Sequence, residues 1–194
     1  AASGLSQTIK FLNPGSWKLD MKVTDLFSGA QVTCSGYHVA TLVAGLEARV
    51  FPVPNGYGYL TDSFDGQVSN QKFVAYNVDV PDRDWSYGFP GVVGYKEWFA
   101  VSFRGRINIT TSGLYRFKMR SDDGVLLYID GNLVVSDNNL HAPRDSYGSV
   151  TLNAGMHDIK LLYYQGPRVL ISCQLSWQPP YQSYYSVVPT NVLS

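Results

Sequence analysis

Hydrophobic and polar positions alternate along much of this chain. Trp17, Leu19, Met21 and Val23 are separated by Lys18, Asp20, Lys22 and Thr24, and Tyr115, Phe117 and Met119 by Arg116, Lys118 and Arg120. A period of two sends successive side chains to opposite faces of an extended strand, so each run predicts a strand with one buried face and one wet face. Antiparallel sheets allow that arrangement. Apolar stretches at 125–128 and 133–135 flank Asp130-Gly131-Asn132, whose residue types tolerate positive φ and predict a hairpin turn. Further strands are predicted at 99–109, 149–153, 158–164 and 169–177, with Asn153-Ala154-Gly155 turning the chain between 149–153 and 158–164. No segment carries a sustained helical period with caps, and 40–48 reads as either a helical turn or a strand. Many short strands at regular spacing predict an all-β fold of antiparallel strands, a sandwich or a barrel, with long irregular loops.

The loops are the stretches 52–66 and 79–96, rich in Pro, Gly, Asp and aromatic residues. Loops that long inside a compact domain are usually functional or ornamental. At 194 residues the chain suffices for one well-filled core and is short for two. The expected organisation is therefore 1–45 as additional N-terminal strands packed on the same domain, 46–178 as the sandwich core, and 179–194 as an extended tail or linker. Composition supports strands and turns, with 14 Tyr, 9 Phe, 4 Trp, 18 Gly and 10 Pro against only 15% charged residues. A net charge of zero removes the general electrostatic reason to expect nucleic acid or an anionic membrane as partner. No apolar run approaches the roughly 20 residues of a membrane-spanning helix, so membrane insertion is not expected. No signal peptide is visible at Ala1, which reads as a mature chain or one excised from something longer. The two cysteines are too few for a disulfide scaffold, and Cys173, on one face with Ile171, Leu175 and Trp177, reads as a small buried hydrophobe.

Ser121-Asp122-Asp123-Gly124 is the sharpest chemical feature, because it ends a well-patterned strand. It reads either as a polar turn or as a calcium site, since Ca²⁺ takes six to eight oxygen ligands at about 2.3–2.6 Å and paired carboxylates are a natural start. Neighbouring side chains on a strand point to opposite faces, so two adjacent aspartates reach one ion only where the chain turns sharply between them or the peptide is cis. Other candidates have plainer readings beside them. Asp79, Asp82 and Asp84 form a possible second cation site or a solvated acidic loop; Trp85, Tyr87, Phe89 and Trp98 are sugar-stacking rings or core and loop anchors. Asn108-Ile109-Thr110 fits a glycosylation sequon but falls in a predicted strand and is discounted. No nucleophile elbow, zinc motif or phosphate loop is present, and adjacent aspartates do not give the roughly 5–9.5 Å carboxylate separation of a glycosidase. An enzyme is not expected.

The run from Phe117 through Ser121-Asp122-Asp123-Gly124-Val125-Leu126-Leu127-Tyr128-Ile129-Asp130-Gly131 resembles the PA14 domain family. So do Leu140-His141, Gly148-Ser149-Val150-Thr151-Leu152, Gly155-Met156-His157, Tyr163-Tyr164-Gln165-Gly166-Pro167-Arg168 and Gln174-Leu175-Ser176-Trp177. The resemblance is good from about Glu97 to Trp177, extends more weakly back to about Leu46, and does not cover the first 45 residues. It implies a PA14-like β-sandwich of the kind found in toxins, glycosidases and adhesins. Carbohydrate-binding members hold Ca²⁺ on an adjacent Asp pair joined by a cis peptide, with a second loop late in the chain and sugar hydroxyls completing the coordination. By that resemblance Asp122, Asp123 and Gln165 are metal and sugar ligands and Pro167 supplies a further metal ligand; around the ion Arg168 and His141 are candidate sugar contacts, His141 reading alternatively as a hydrogen-bonded structural residue. Fungal members place Asn in the second loop, and Gln165 is similar to the bacterial adhesin version. Ser136-Asp137-Asn138-Asn139 departs from an Asp-Asn-x-Gly run that many members carry before Leu-His. The function implied is a Ca²⁺-dependent lectin module, a monomeric part of a larger adhesin at the cell surface or outside the cell, taking fucose, mannose or glucose-type neutral glycans. The alternative is a non-catalytic structural or protein-interaction module, for example one attached to a glycosidase.

Overall fold

The computed structural model describes residues 15–24 and 31–40 by their backbone, and 44–60, 64 and 67–194 in full. The chain divides into two units, 1–43 and 44–194. In the first, β1 (Gly15–Thr24) and β2 (Gln31–Ala40) pair as an antiparallel ladder with Trp17 opposite His38 and Met21 opposite Cys34.

The second unit holds eleven strands among its described residues. They are β3 (Leu46–Pro52), β4 (Gln71–Ala75), β5 (Asp79–Asp84), β6 (Phe99–Ile109), β7 (Gly113–Asp122), β8 (Val125–Ile129), β9 (Asn132–Asp137), β10 (Arg144–Leu152), β11 (Gly155–Gln165), β12 (Leu170–Gln178) and β13 (Ser186–Val187). They form two antiparallel sheets: β4-β3-β6-β11-β8-β9, and β10-β7-β12 with β13 and β5 both hydrogen-bonded along β12. The sheets face each other over one core, to which Phe99, Val101 and Phe103 of β6, Ile159, Leu161 and Tyr163 of β11, and Tyr115, Phe117 and Met119 of β7 contribute alternate positions. Cys173 is a free thiol buried on the inner face of β12 with Ile171 and Leu175, which accounts for the apolar company it keeps in the sequence.

The hairpin between β8 and β9 turns through Asp130 (φ 49°) and Gly131 (φ 77°), two successive positive values that match the right-handed twist of the flanking strands. Elsewhere the pattern of elements differs from expectation. Residues 79–84 form a strand on β12 rather than loop, because Val80 turns inward while Asp79, Asp82 and Asp84 stay at the surface. The short edge strand β4 carries only half-buried and exposed positions, with Phe73 and Ala75 packed against the core and Lys72 and Val74 exposed. The 179–194 segment is extended, yet it is pinned to the sandwich: Val188 and Leu193 are buried, and Arg106 and Ser194 exchange backbone hydrogen bonds.

A second apolar cluster lies on the outer face of the six-stranded sheet. Phe51, Ala100, Leu126, Leu162 and Tyr164 point away from the main core and are covered by Val53, Leu60 and Phe64. This cover explains why β8 and the end of β11 read as continuous apolar runs instead of alternating, since strands buried on both faces lose their polar positions. It also holds Val53, Leu60 and Phe64 against the sheet. No helix among the described residues is long and apolar enough to cross a membrane.

Candidate functional site

Ser121-Asp122-Asp123-Gly124 is where the chain leaves one sheet for the other. Asp122 ends β7 and still pairs with Ser172 of β12 in the smaller sheet. One residue later the backbone joins the larger sheet: Asp123 donates its N–H to the Tyr164 carbonyl (3.2 Å), and Gly124 accepts from the Tyr164 N–H (3.0 Å). The peptide between the two aspartates is cis. Gly124 lacks a side chain because a Cβ there would collide with the Tyr164 ring.

Both aspartates are buried, 3% and 4% exposed. The Asp123 carboxylate accepts two backbone N–H groups, from Gly166 (2.7 Å) and His141 (3.0 Å). Gly166 is required for this approach, since a Cβ would strike Leu140 and crowd the same carboxylate at 3.0 Å. Asp122 is held through its backbone, whose carbonyl accepts from the Tyr163 hydroxyl at 2.6 Å. That hydroxyl also faces Gln165 Oε1 at 2.5 Å, and Gln165 Nε2 donates to the carbonyls of Leu170 (2.9 Å) and Pro167 (3.3 Å). Fully buried Gln165 thus ties the 165–170 loop to the aspartate turn, and its amide lies within hydrogen-bonding reach of the Asp122 carboxylate.

Neither carboxylate forms an ion pair with a Lys or Arg among the described residues. Burial, then the neighbouring charge of Asp123 and the more distant one of Asp82, pushes the Asp122 carboxyl up to about 7. Burial likewise raises Asp123, opposed by its two backbone N–H bonds. Two adjacent carboxylates in a poorly hydrated pocket favour either a shared proton or a cation. Their oxygens, with the Gln165 amide oxygen and the loop carbonyls, are hard donors of the type Ca²⁺ takes. The donor set fits that ion. Three or more His, Cys, Asp or Glu side chains do not cluster around a common point among the described residues, so such a site draws on amide, carbonyl and exogenous oxygens beyond the two carboxylates.

The other candidates from the sequence fall in distinct places. His141 reaches the site through its backbone N–H, while its ring sets Nδ1 against the Ala142 carbonyl (2.9 Å) and Nε2 3.5 Å from Asp137. Arg168 stands at the rim, half-exposed, paired to Glu97 at 2.8 Å and stacked over Trp85 at 5.2 Å. The Pro167 carbonyl accepts from Val169 N–H (3.0 Å) as well as from Gln165. Asp79, Asp82 and Asp84 do not converge: Asp79 accepts from Gln174, Asp82 is clamped by Arg120, and Asp84 caps Ser86. Phe89 is core, whereas Tyr87 is exposed beneath Arg83. Sequence reasoning missed Tyr163, whose hydroxyl organises the aspartate turn. The signal was a Tyr inside an otherwise apolar strand, where a hydroxyl must find a partner.

Residues 56–191 match the family model of the PA14 domain. The chain belongs to the PA14 domain family. This PA14 chain is 31% identical over 144 residues to anti-sigma-I factor RsgI3 of Acetivibrio thermocellus, a match that covers 73% of the chain and 22% of that protein's length. Among solved structures, an anti-sigma factor domain-containing protein from Clostridium clariflavum superposes with a TM-score of 0.62 at 25% identity, over 78% of this chain and 47% of that one. A PA14 sugar-binding domain from an RTX adhesin superposes with a TM-score of 0.64 at 17% identity, over 78% of this chain and 98% of that domain, which shows a shared fold. The PA14 domain here therefore spans only part of the length of its anti-sigma factor relatives.

Proposed function

We propose that this PA14 domain is a calcium-dependent carbohydrate-binding module of a larger protein, placed outside the cell or on its surface. The observation that carries the reading is the pair of adjacent buried carboxylates, Asp123 clamped by two backbone N–H groups, lacking a basic partner among the described residues. Bound Ca²⁺ would supply open coordination positions for two neighbouring sugar hydroxyls. Asp122 and Asp123 hold the ion, with Gln165 Oε1 and the Pro167 carbonyl as ligands from the opposing loop. With the two negative charges neutralised, the site has no need of an anionic sugar, so neutral fucose, mannose or glucose-type rings suffice. Arg168 at the rim, and the His141 segment, supply donors that choose between sugars. The sugar-binding name of the adhesin neighbour supports this reading, and the anti-sigma factor relatives indicate that the same module serves parent proteins other than adhesins. Affinity per site is modest for an exposed polar ligand, and multivalent display raises it.

The test is isothermal titration with fucose, mannose and glucose in millimolar Ca²⁺, in excess chelator, and with Asp123→Ala. Binding that persists in chelator, or that requires a carboxylated sugar, rules the reading out. The similarity to an anti-sigma factor favours a second reading, a non-catalytic module that contacts another protein. Metal content after chelation and dialysis against Ca²⁺ separates the two, since that reading needs no bound ion.

A further inference from the structure

Beside the aspartate turn stands a pair of stacked tyrosines that the carbohydrate-binding reading leaves without a role. Tyr57 and Tyr59 lie with ring centroids 5.8 Å apart and planes 22° from parallel. Tyr57 meets the Tyr164 ring edge-on at 6.0 Å, and that ring fills the space left by Gly124, next to Asp123. Tyr59 is 60% exposed, so one face of the pair looks to solvent.

The pair is held rigidly. Leu60 is anchored in the outer apolar cluster, and Asn138 clasps its backbone in both directions, accepting from the Leu60 N–H and donating to its carbonyl at 2.8 Å. Three residues further along, His141 donates to the Asp123 carboxylate. A chain of three residues spans at most about 11 Å, so the tyrosine loop is tethered close to the carboxylates.

We infer that Tyr59, backed by Tyr57, forms a second subsite that stacks on the apolar face of a pyranose ring adjoining the one held at Asp122 and Asp123, so that the domain prefers disaccharides and longer glycans to single sugars. This rests on the carbohydrate-binding reading above. An aromatic ring prefixed in its loop offers flat amphipathic area with little conformational freedom to lose, and a sugar face with its C–H groups outward matches that surface. Tyr57, stacked 5.8 Å behind it, backs the Tyr59 ring.

The experiment compares methyl α-mannoside with α-mannobiose, and methyl β-glucoside with cellobiose, by titration into the full chain in millimolar Ca²⁺, using wild type, Tyr59→Ala and Tyr59→Trp. The expected result is a disaccharide advantage in wild type that Tyr59→Ala reduces roughly three- to tenfold, with monosaccharide and Ca²⁺ affinity unchanged, and that Tyr59→Trp retains. A melting temperature unchanged in Tyr59→Ala confirms that the exposed ring is not structural. An advantage insensitive to Tyr59→Ala, an equal loss for mono- and disaccharide, or the absence of any advantage in wild type overturns the subsite while leaving the calcium reading intact. Failure of every sugar to bind wild type overturns both.

Discussion

Replacing Asp122 by Asn separates the cost of burying two carboxylates from the benefit of a cation between them. Without metal the Asp122 carboxyl sits at about 7 instead of 3.8. At full strength that difference corresponds to about 4 kcal/mol between the charged and neutral forms, and solvent at the end of the sandwich screens it to about 1–2 kcal/mol. The sign follows from a raised folded-state value. The stabilising contribution of the neutral acid is complete below 3.8 and is lost as pH rises through about 7. At about pH 8 in chelator, wild type therefore carries a charge that the isosteric amide lacks. Under those conditions Asp122→Asn should raise the melting temperature by about 2–8 °C, at roughly 2–4 °C per kcal/mol for a chain of this size. That advantage should fade by about pH 5, where Asp122 is itself protonated. Millimolar Ca²⁺ should invert the order: an ion at 100 times its dissociation constant stabilises wild type by about 2.7 kcal/mol, and the variant by far less. Differential scanning fluorimetry across pH, with Ca²⁺ and with chelator, reads both effects. A variant less stable than wild type in chelator at about pH 8, or one whose response to Ca²⁺ equals that of wild type, refutes the argument.

Tyr163→Phe should lower stability by about 1–3 kcal/mol, because the hydroxyl serves both the Asp122 carbonyl and Gln165 Oε1 inside a buried turn; it should also weaken Ca²⁺ binding, measured by titration, whereas an unchanged affinity would detach Tyr163 from the site. Gly148→Ala should cost about 3 kcal/mol or more, since its Cβ would penetrate the Val134 backbone carbonyl where β9 and β10 cross; denaturant unfolding measures it, and a loss under about 1 kcal/mol contradicts the close approach. His157 is raised above 6.5 chiefly by its Asp130 hydrogen bond at 2.6 Å, with burial opposing. Its contribution is thus complete below 6.5 and lost as pH rises through the higher folded value, so His157→Gln should lose most stability in mild acid and little in alkali. Equal losses at both ends of that range would count against an ionic partner.

The sandwich was legible because its inner face is built from period-two runs: Tyr115, Phe117 and Met119 alternate in the sequence and all point into the core. The β8–β9 turn was legible from residue chemistry alone, through Asp130 and Gly131. The short strands β4 and β5 were not, since each lies at a sheet margin where one or neither face is buried, and alternation needs a buried face to be visible. The cover over the outer face was hidden for the opposite reason. Leu126, Leu162 and Tyr164 blend into their inward-facing neighbours, so nothing in the sequence says that a second layer lies on top. At the site, adjacent Asp122 and Asp123 were conspicuous. Asn138, Tyr57 and Tyr59 were not, because their roles depend on a contact between residues 78 positions apart.

The placement of the aspartate turn divides the site into two parts with different constraints. Asp122 is registered by β12 of the smaller sheet and Asp123 by Tyr164 of the larger one, so the relative position of the carboxylates is set by how the two sheets face each other. A core residue between the sheets, such as Phe99, acts on the carboxylate pair through the sheet spacing, whereas Tyr163 acts on it directly through the Asp122 carbonyl and Gln165 Oε1. The residues around the pair are different. Tyr57 and Tyr59 hang on Asn138, and Arg168 hangs on Glu97 and Trp85, each from a loop outside the strands. Substituting them changes the surface a glycan meets and leaves the carboxylates where they are. On the calcium-dependent reading proposed above, the carboxylate pair is set by the core while Tyr59 and Arg168 stand on loops, so the two should vary independently in mutants: core variants shift calcium and sugar binding together, and variants of Tyr59 or Arg168 shift sugar binding alone.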